Sequence, residues 1–289
     1  MRAFIIQTAL AILSAASLWG ASAPLADAVE SGDTAAVQAL LKKGTDVNAA
    51  QADGMTALLW AADRDDLAMA EMLVRAGASV KAVNRWGVTP LSLACEAGNA
   101  PMVELFLKAD ANPNTVLAGG ETVLMTAART GNAEIVRSLI AHGANVNARE
   151  ARQGQTALMW AAAEGNTPAV EALLRAGADF KARENYGFTP LLFAAREGKK
   201  ETLAALIKAG ADPNEIVTPR FRPRQRGVTD RVADITKPGT SALAFAVVNA
   251  HYEVAVQLLE AGANPNAMVP GWTPLHAISW IRKVGTGDN

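Results

Sequence analysis

The sequence predicts an all-α fold built from short helix–turn–helix units that stack in series. Half of the 289 residues are apolar but only 5% are aromatic, so alanine and leucine dominate and favour packed helices over sheets. A segment of the form Gly-x-Thr/Ser-x-Leu recurs about every 33 residues, and a second segment ending in Gly-Ala recurs between its copies. A unit of this length cannot bury its own apolar face, so neighbouring units must stack.

The first helix of each unit is predicted to start after a hydroxyl residue. The side-chain oxygen of such a residue accepts a hydrogen bond from a free backbone N–H group in the first turn. A proline at the next position costs little, because its missing N–H has no helical partner there. The predicted caps are Thr56, Thr89, Thr122, Thr156, Thr189, Ser241 and Thr273, and the prolines after them are Pro90, Pro190 and Pro274.

Glycine recurs in the turn between the two helices and again at the end of the second helix, as at Gly98 and Gly77. These places favour a left-handed backbone, which glycine adopts without strain. Asp110 takes the place of glycine at one helix end, and Asp65 and Ala250 take it in two turns. We therefore predict that Asp110→Gly stabilises the fold.

The first residues of the chain have a different character. Arg2 is the only charged residue before Asp27, and small residues close the apolar stretch between them. This layout is typical of a secretory signal peptide. We predict that residues 1–22 are a signal peptide cleaved near Ser22 or Gly20, and that the mature protein is exported to the periplasm or secreted. An uncleaved membrane anchor is the alternative, since the uncharged run is long enough to span a bilayer.

Residues 23–289 resemble the ankyrin repeat. The resemblance rests on segments such as GVTPLSLAC, GFTPLLFAA and GWTPLHAIS, combined with LVRAGASV, LLRAGADF and LLEAGANP. The chain is similar to bacterial, exported ankyrin-repeat proteins, with roughly seven repeats and a partial C-terminal one. The resemblance implies a solenoid of helix–turn–helix units with projecting β-turn fingers. It also implies protein recognition, because ankyrin arrays are overwhelmingly recognition scaffolds.

An irregular basic segment interrupts the repeats at residues 217–238. Three units, about residues 54–153, reappear 100 residues later, with Trp60 returning as Trp160 and Trp86 as Tyr186. In the second copy the basic segment stands where the first copy has an ordinary finger, so we interpret it as an enlarged finger. Six cationic and two acidic side chains give it a net charge of +4. The sequence allows two interpretations of this segment: a solvated loop, or a clamp that becomes ordered against an acidic partner.

The sequence offers no constellation typical of an enzyme. It contains no nucleophile elbow, phosphate-binding loop or zinc-protease motif. Cys95, the only cysteine, stands where other units have alanine, which predicts a buried small residue. The net charge of −1 favours no attraction to nucleic acid. We therefore predict a non-enzymatic monomer with no catalytic residues, no metal, no cofactor and no nucleic-acid partner, and with membrane contact only through an uncleaved anchor.

Partner contacts are expected at the fingers, because exposed aromatic side chains beside turns make effective interface residues. The candidates in the repeated fingers are Trp86, Val88, Tyr186, Phe188 and Trp272, for which packing against a neighbouring finger is the alternative. The candidates in the basic segment are Arg220, Phe221, Arg222, Arg224 and Arg226. The aromatic residues of the first helices, Trp60, Trp160, Phe193 and Phe245, are predicted to pack between repeats.

The sequence thus predicts an exported, non-catalytic scaffold that binds a protein partner through its fingers and its concave groove. The alternative is a recognition module of a larger secreted toxin, effector or envelope enzyme with its catalytic part elsewhere. The last unit shows only one helix before a polar tail, so we expect the sequence to be part of a longer repeat protein.

Overall fold

The fold consists of paired short helices. The computed structural model describes residues 23–218 and 238–267. This part of the chain divides into two compact units, the first ending at Asn112 and the second beginning at Pro113. Fourteen α-helices are described in it, none longer than nine residues. Their turns carry three isolated β-bridges.

Each unit contains successive helix pairs. The first unit contains α1 (Pro24–Glu30), α2 (Thr34–Lys42), α3 (Ala57–Asp63), α4 (Leu67–Arg75), α5 (Pro90–Ala97) and α6 (Ala100–Lys108). The second unit contains α7 (Val123–Thr130), α8 (Ala133–Ala141), α9 (Ala157–Glu164), α10 (Thr167–Arg175), α11 (Pro190–Arg196), α12 (Lys200–Lys208), α13 (Ala242–Val248) and α14 (Tyr252–Glu260).

Within each unit the first helices of successive pairs pack against one another. They form the rows α1–α3–α5 and α7–α9–α11–α13, and the second helices form the rows α4–α6 and α8–α10–α12–α14. Small residues in the first helices, such as Ala62, Ala128 and Ala162, are fully buried between neighbours. The predicted all-α repeat fold is confirmed, because apolar faces that no single pair could bury are covered by the next pair.

The predicted helix caps are confirmed wherever the structure describes them. Each cap accepts a hydrogen bond from the backbone N–H three residues later, and all six side chains are buried: Thr56, Thr89, Thr122, Thr156, Thr189 and Ser241. Pro90 and Pro190 are the first helical residues, as predicted. Thr273 and Pro274 lie outside the described residues.

Asparagine side chains in the turns after the second helices tie consecutive pairs together. Asn147 donates through Nδ2 to the carbonyl of Gly177 at 3.2 Å and accepts from the N–H of Asp179 at 2.8 Å. Asn48 makes the same two contacts in the first unit, to Gly77 and Ser79. These bonds position each extended turn relative to the next one within its unit.

Three residues other than glycine have a left-handed backbone, at the places where the repeat pattern predicts glycine. The φ angles are 55° at Asp65, 69° at Asp110 and 61° at Ala250. Asp110 forms an exposed ion pair with Lys81, and hydrogen bonding and charge attraction to Lys81 lower the pKa of this carboxyl. Exposed pairs contribute little to stability, so we still expect Asp110→Gly to raise the melting temperature.

Ala250→Gly is the cleaner test of the same strain, because Ala250 is exposed and its methyl side chain makes no polar contact. We expect the substitution to raise the free energy of unfolding by about 0.5–1 kcal/mol, measured by urea denaturation. Ala261→Gly is the matched control, because Ala261 has a right-handed backbone with φ −79°. It is expected to lower stability. Equal effects of the two substitutions would contradict the assignment.

None of the fourteen described helices has the length and apolar character needed to cross a bilayer. The predicted leader, residues 1–22, lies outside the described residues, as does most of the basic segment at 217–238. Both assignments therefore stay predictions.

Candidate functional site

The extended turn between one helix pair and the next forms a finger, and two fingers carry the predicted aromatic residues. The Trp86 finger comprises residues 78–89 and the Tyr186 finger comprises residues 178–189. A buried polar residue holds the base of each finger. Asn84 Oδ1 accepts from the N–H groups of Trp86 and Val88, both at 3.0 Å. These bonds fix the backbone on both sides of the fingertip.

Glu184 plays the same part in the Tyr186 finger. Its two carboxylate oxygens accept from the N–H groups of Tyr186 at 2.8 Å and Phe188 at 2.9 Å. The side chain is buried, and these backbone donors supply the hydrogen bonds that its oxygens would otherwise make to water. The two fingers therefore share one backbone construction although their base residues differ.

The fingertips expose Trp86 and Tyr186 to solvent. Trp86 is 51% exposed and Tyr186 is 53% exposed. The guanidinium of Arg85 lies 4.3 Å from the ring centre of Trp86, a cation–π contact that limits the motion of this large side chain. Val88 is half-buried beside the fingertip. Trp86 and Tyr186 thus have the exposure that partner contact requires.

Phe188, in contrast, points into the protein. It is only 3% exposed, and its ring centre lies 5.2 Å from that of Phe193 and 5.3 Å from that of Phe245. The guanidinium of Arg196 lies 5.0 Å from the ring centres of both Phe188 and Phe193. The expectation of an exposed partner contact is therefore wrong for Phe188. Gly187 between them has a left-handed backbone with φ 90°, which breaks the extended alternation and lets Tyr186 face solvent while Phe188 faces the core.

Three further apolar residues in the fingers are exposed and were not predicted from the sequence: Val83, Val116 and Ile216. They occupy the position just before the finger base, where two other repeats carry arginine. Arg149 donates to the carbonyl of Arg183 at 2.7 Å, and Arg183 donates to the carbonyl of Ile216 at 2.8 Å. Other repeats carry a hydrogen-bonding arginine at this position. An aliphatic residue there is the sequence signal that could have identified the three exposed side chains.

The remaining candidates cannot be placed on the structure. They lie outside the described residues: Arg220, Phe221, Arg222, Arg224, Arg226 and Trp272. Their assignment to a partner-binding surface stays a prediction.

The first helices of the second unit border a cleft of about 200 Å³. Trp160 and Phe193 form part of its wall, and the side chains of Arg129 and Glu164 reach it from exposed positions. Phe193 is buried, as predicted for repeat packing, whereas Trp160 is only half-buried. The indole Nε1 of Trp160 is buried and has no hydrogen-bond partner among the described residues. Such orphan donors are uncommon in folded proteins.

Cys95 is fully buried in α5, as predicted, and burial raises the pKa of its thiol to about 12. The thiolate is the reactive form, so we expect no labelling by a thiol-specific disulfide reagent at neutral pH in the native protein. Labelling should follow the unfolding transition in urea. Cys95→Ala, which supplies the residue found at this position in other repeats, should abolish labelling. Rapid labelling without denaturant would contradict the burial.

The part of the chain that the structure describes contains no group of three or more histidine, cysteine, aspartate or glutamate side chains placed to hold a metal ion. In the described residues, the buried carboxylates of Glu150 and Glu184 accept hydrogen bonds from backbone N–H groups of the fingers. These acidic groups therefore have a structural part in finger geometry.

Comparison with known families agrees with the helix pairs described above. A family model described as "Ankyrin repeats (3 copies)" matches residues 25–116, 69–150, 98–184 and 124–216. These overlapping matches cover more than half of the chain. No curated protein sequence matches it. The chain belongs to the ankyrin-repeat family.

Proposed function

We propose that this protein is a non-catalytic interaction module that binds a protein partner through its fingers and, in the second unit, through the first-helix surface beside Trp160. Ankyrin repeats are generally protein–protein interaction modules, and the family is typically non-catalytic. The family alone names no partner and no binding residue, because the variable surface of a repeat fold carries its function.

The observation that carries the proposal is the repeated presentation of a large aromatic side chain at a fingertip. Trp86 and Tyr186 hold the same position in two fingers and expose similar fractions of their surfaces. The side-chain oxygens of Asn84 and Glu184 accept hydrogen bonds from the backbone N–H groups of Trp86 and Tyr186 and so hold the backbone of each fingertip. A prearranged aromatic side chain loses little conformational entropy on binding, which favours its use as an interface residue.

Site-specific photo-crosslinking tests this proposal directly. We would incorporate benzoylphenylalanine at position 86 or 186 of the full chain in its native host and irradiate intact cells. Position 252 provides the matched control, because Tyr252 is 51% exposed but lies on helix α14 rather than on a finger. We expect a discrete cross-linked protein from positions 86 and 186, and none from position 252.

The same experiment includes its own specificity check. Trp86→Ala and Tyr186→Ala should each weaken capture of the cross-linked protein at the other finger, if both contact one partner. Equal cross-linking from all three positions would indicate non-specific collision. The absence of a discrete product at both fingers would overturn the proposal.

We also propose that the protein is exported. The support is the arrangement of one early positive charge, an apolar stretch and small residues before Pro24. The intact mass of the protein isolated from the periplasmic or extracellular fraction would test it. We expect a chain that begins near Ala21 or Ala23. Recovery of the whole chain only from the cytoplasm would contradict export, and recovery of the whole chain from membranes would favour the anchor.

A further inference from the structure

The Tyr186 finger stands between two other fingers of the second unit. The finger before it comprises residues 144–156, and the described part of the finger after it comprises residues 211–218. We call these the preceding finger and the following finger. Each of the three exposes a side chain suited to recognition: Arg152 on the preceding finger, Tyr186 on its own finger and Ile216 on the following finger.

Two arginine side chains join these three fingers through carbonyl groups. Arg149 Nη1 donates to the carbonyl of Gly154 in its own finger at 2.9 Å and to that of Arg183 in the Tyr186 finger at 2.7 Å. Arg183 Nη1 repeats the pattern, with bonds to the carbonyls of Gly187 at 3.0 Å and Ile216 at 2.8 Å. The fingers are thus arranged before a partner binds, which reduces the conformational entropy lost on binding.

Further hydrogen bonds hold the fingertips side by side. Asn185 Nδ2 donates to the carbonyl of Arg152 at 3.2 Å. On the other side, the N–H of Thr218 donates to the carbonyl of Gly187 at 3.4 Å. Tyr186 lies between Asn185 and Gly187 in the chain, so its exposed ring has the preceding finger on one side and the following finger on the other.

The carboxylates next to these fingertips are already bonded. Glu150 accepts from three N–H groups of the preceding finger, and Glu184 accepts from two N–H groups of the Tyr186 finger. Glu215 pairs with Arg183 at 2.6 Å, and only 12% of its side chain is exposed. The guanidinium of Arg152, in contrast, is exposed and has no hydrogen bond or ion pair with any described residue.

The exposed acidic residues of the three fingers lie at the start of a finger rather than at its tip. Asp179 accepts from the N–H of Lys181 at 2.9 Å, and Asp212 accepts from the N–H of Asn214 at 2.8 Å. The exposed Lys181 side chain offsets the charge of Asp179. Glu121 belongs to the finger before these three and is half-buried. The described tips therefore expose positive charge beside apolar side chains.

We propose that the three fingers form a docking surface for an acidic segment of the protein partner that carries a large apolar residue, an inference that rests on the proposed interaction function. The apolar side chain packs between Tyr186 and Ile216. A neighbouring carboxylate accepts from Arg152, whose planar guanidinium forms charge-assisted bonds. The exposed guanidinium of Arg149 adds to the positive charge.

The composition of this surface favours a protein segment over other anionic partners. Protein interfaces are enriched in aromatic residues and arginine, and both are present at these fingertips. Single-stranded nucleic acids bind along grooves in which several aromatic rings stack on successive bases, whereas the described part of the three fingers exposes the ring of Tyr186 alone at a tip. Residues 219–237 lie outside the described residues and are not part of the proposed surface.

The test uses nuclear magnetic resonance of the full chain with ¹³C-labelled isoleucine methyl groups, in which Ile216→Val assigns the Ile216 signal. The probe is the blocked peptide acetyl-Glu-Glu-Leu-Glu-Glu-amide. Acetyl-Gln-Gln-Leu-Gln-Gln-amide lacks its charge, and acetyl-Glu-Glu-Gly-Glu-Glu-amide lacks its apolar side chain. We expect the probe to shift the Ile216 signal with a dissociation constant in the millimolar range. Ile135, which is fully buried in α8, is the internal control and should not shift.

Matched peptides and variants identify the groups involved. Each matched peptide should bind at least about fivefold more weakly than the probe, and Arg152→Gln should weaken probe binding by a similar factor, because it removes charge-assisted bonds. Tyr186→Ala should weaken binding while leaving the preference for the acidic peptide over the glutamine peptide. Arg137→Gln is the matched control, since it removes the same charge from an exposed position on α8, and it should change binding less than about twofold.

The outcomes separate this inference from the proposed function. No shift of Ile216, or equal shifts with the acidic and glutamine peptides, would overturn the docking surface even if finger cross-links form. Equal weakening by Arg152→Gln and Arg137→Gln would also overturn it, because the attraction would then come from overall charge.

Two further outcomes decide between kinds of partner. A Tyr186-dependent shift of Ile216 with phosphatidylglycerol vesicles, and none with the probe peptide, would assign the surface to a membrane and overturn the protein segment. A probe-specific shift that requires Arg152, without a cross-link from position 186 in cells, would support the surface while contradicting the finger-based module.

Discussion

Replacing Phe188 by alanine is expected to lower the free energy of unfolding by about 3–5 kcal/mol. The Phe188 ring is buried against Phe193 and Phe245, and Arg196 lies over its face. Its removal leaves a cavity between the Tyr186 finger and two first helices, which cannot collapse without moving α11 or α13. Urea denaturation followed by circular dichroism measures the loss as a shift of the midpoint.

Tyr186→Ala is the matched control, because Tyr186 lies on the same finger but faces solvent. Its effect on stability is expected to stay within about 0.5 kcal/mol. The pair of variants separates folding from recognition, since Tyr186 should affect partner capture and Phe188 should affect the fold. Similar losses of stability in both variants would contradict the opposite orientations of the two rings.

Replacing Glu150 by alanine is expected to cost about 2–3 kcal/mol at neutral pH. The buried carboxylate accepts from the N–H groups of Arg152 and Gln153, both at 2.6 Å, and of Gln155 at 3.0 Å. No other side chain in the described residues is shown to take over these donors, so the finger loses its defined backbone. The change is measured by urea denaturation, and Arg152→Ala provides a control that keeps the carboxylate and its backbone donors.

The contribution of Glu150 also predicts a pH dependence. Burial by itself would raise the pKa of this carboxyl, but the backbone N–H groups of the finger outweigh burial and lower the pKa below its ordinary value near 4.5. A carboxyl with a lowered folded-state pKa stabilises the fold above its unfolded-state pKa, and this stabilisation is lost as the pH falls through the folded-state value.

The stability difference between the natural protein and Glu150→Gln should therefore be constant near neutral pH and shrink as the pH falls below about 4.5. Glu215 has the opposite behaviour, because burial raises its pKa despite its ion pair with Arg183 at 2.6 Å. Both proteins contain Glu215, so its contribution cancels in the difference. If this stability difference instead increased as the pH falls, the stabilising role of the Glu150 carboxylate in its finger would be contradicted.

Local features of the repeat followed from sequence because they depend on nearest neighbours along the chain. A buried threonine such as Thr189 caps its helix through a bond to an N–H three residues away, and this geometry is the same wherever the residues occur. The left-handed backbone at Asp110 and Ala250 likewise follows from helix termination. The repeat pattern likewise places Cys95 at the position where other repeats have a buried alanine.

The candidate site was only partly predictable, because exposure depends on contacts between repeats. Phe188 and Tyr186 both met the description of an aromatic finger residue, yet only Tyr186 is exposed. Phe193 and Phe245, one from the same repeat and one from the next, create the space that Phe188 fills. The unpaired indole N–H of Trp160 has a different, local cause, because the Glu150 carboxylate accepts from N–H groups of its own finger.

By itself, the sequence determined the repeat unit, the caps and ends of its helices, and membership of a family of interaction scaffolds. Only the tertiary structure decided which aromatic side chains reach solvent and which donors have no partner. The physical reason is that a cap or turn is set within a few residues, whereas burial also requires side chains of the neighbouring repeat, about 33 or more residues away in this chain.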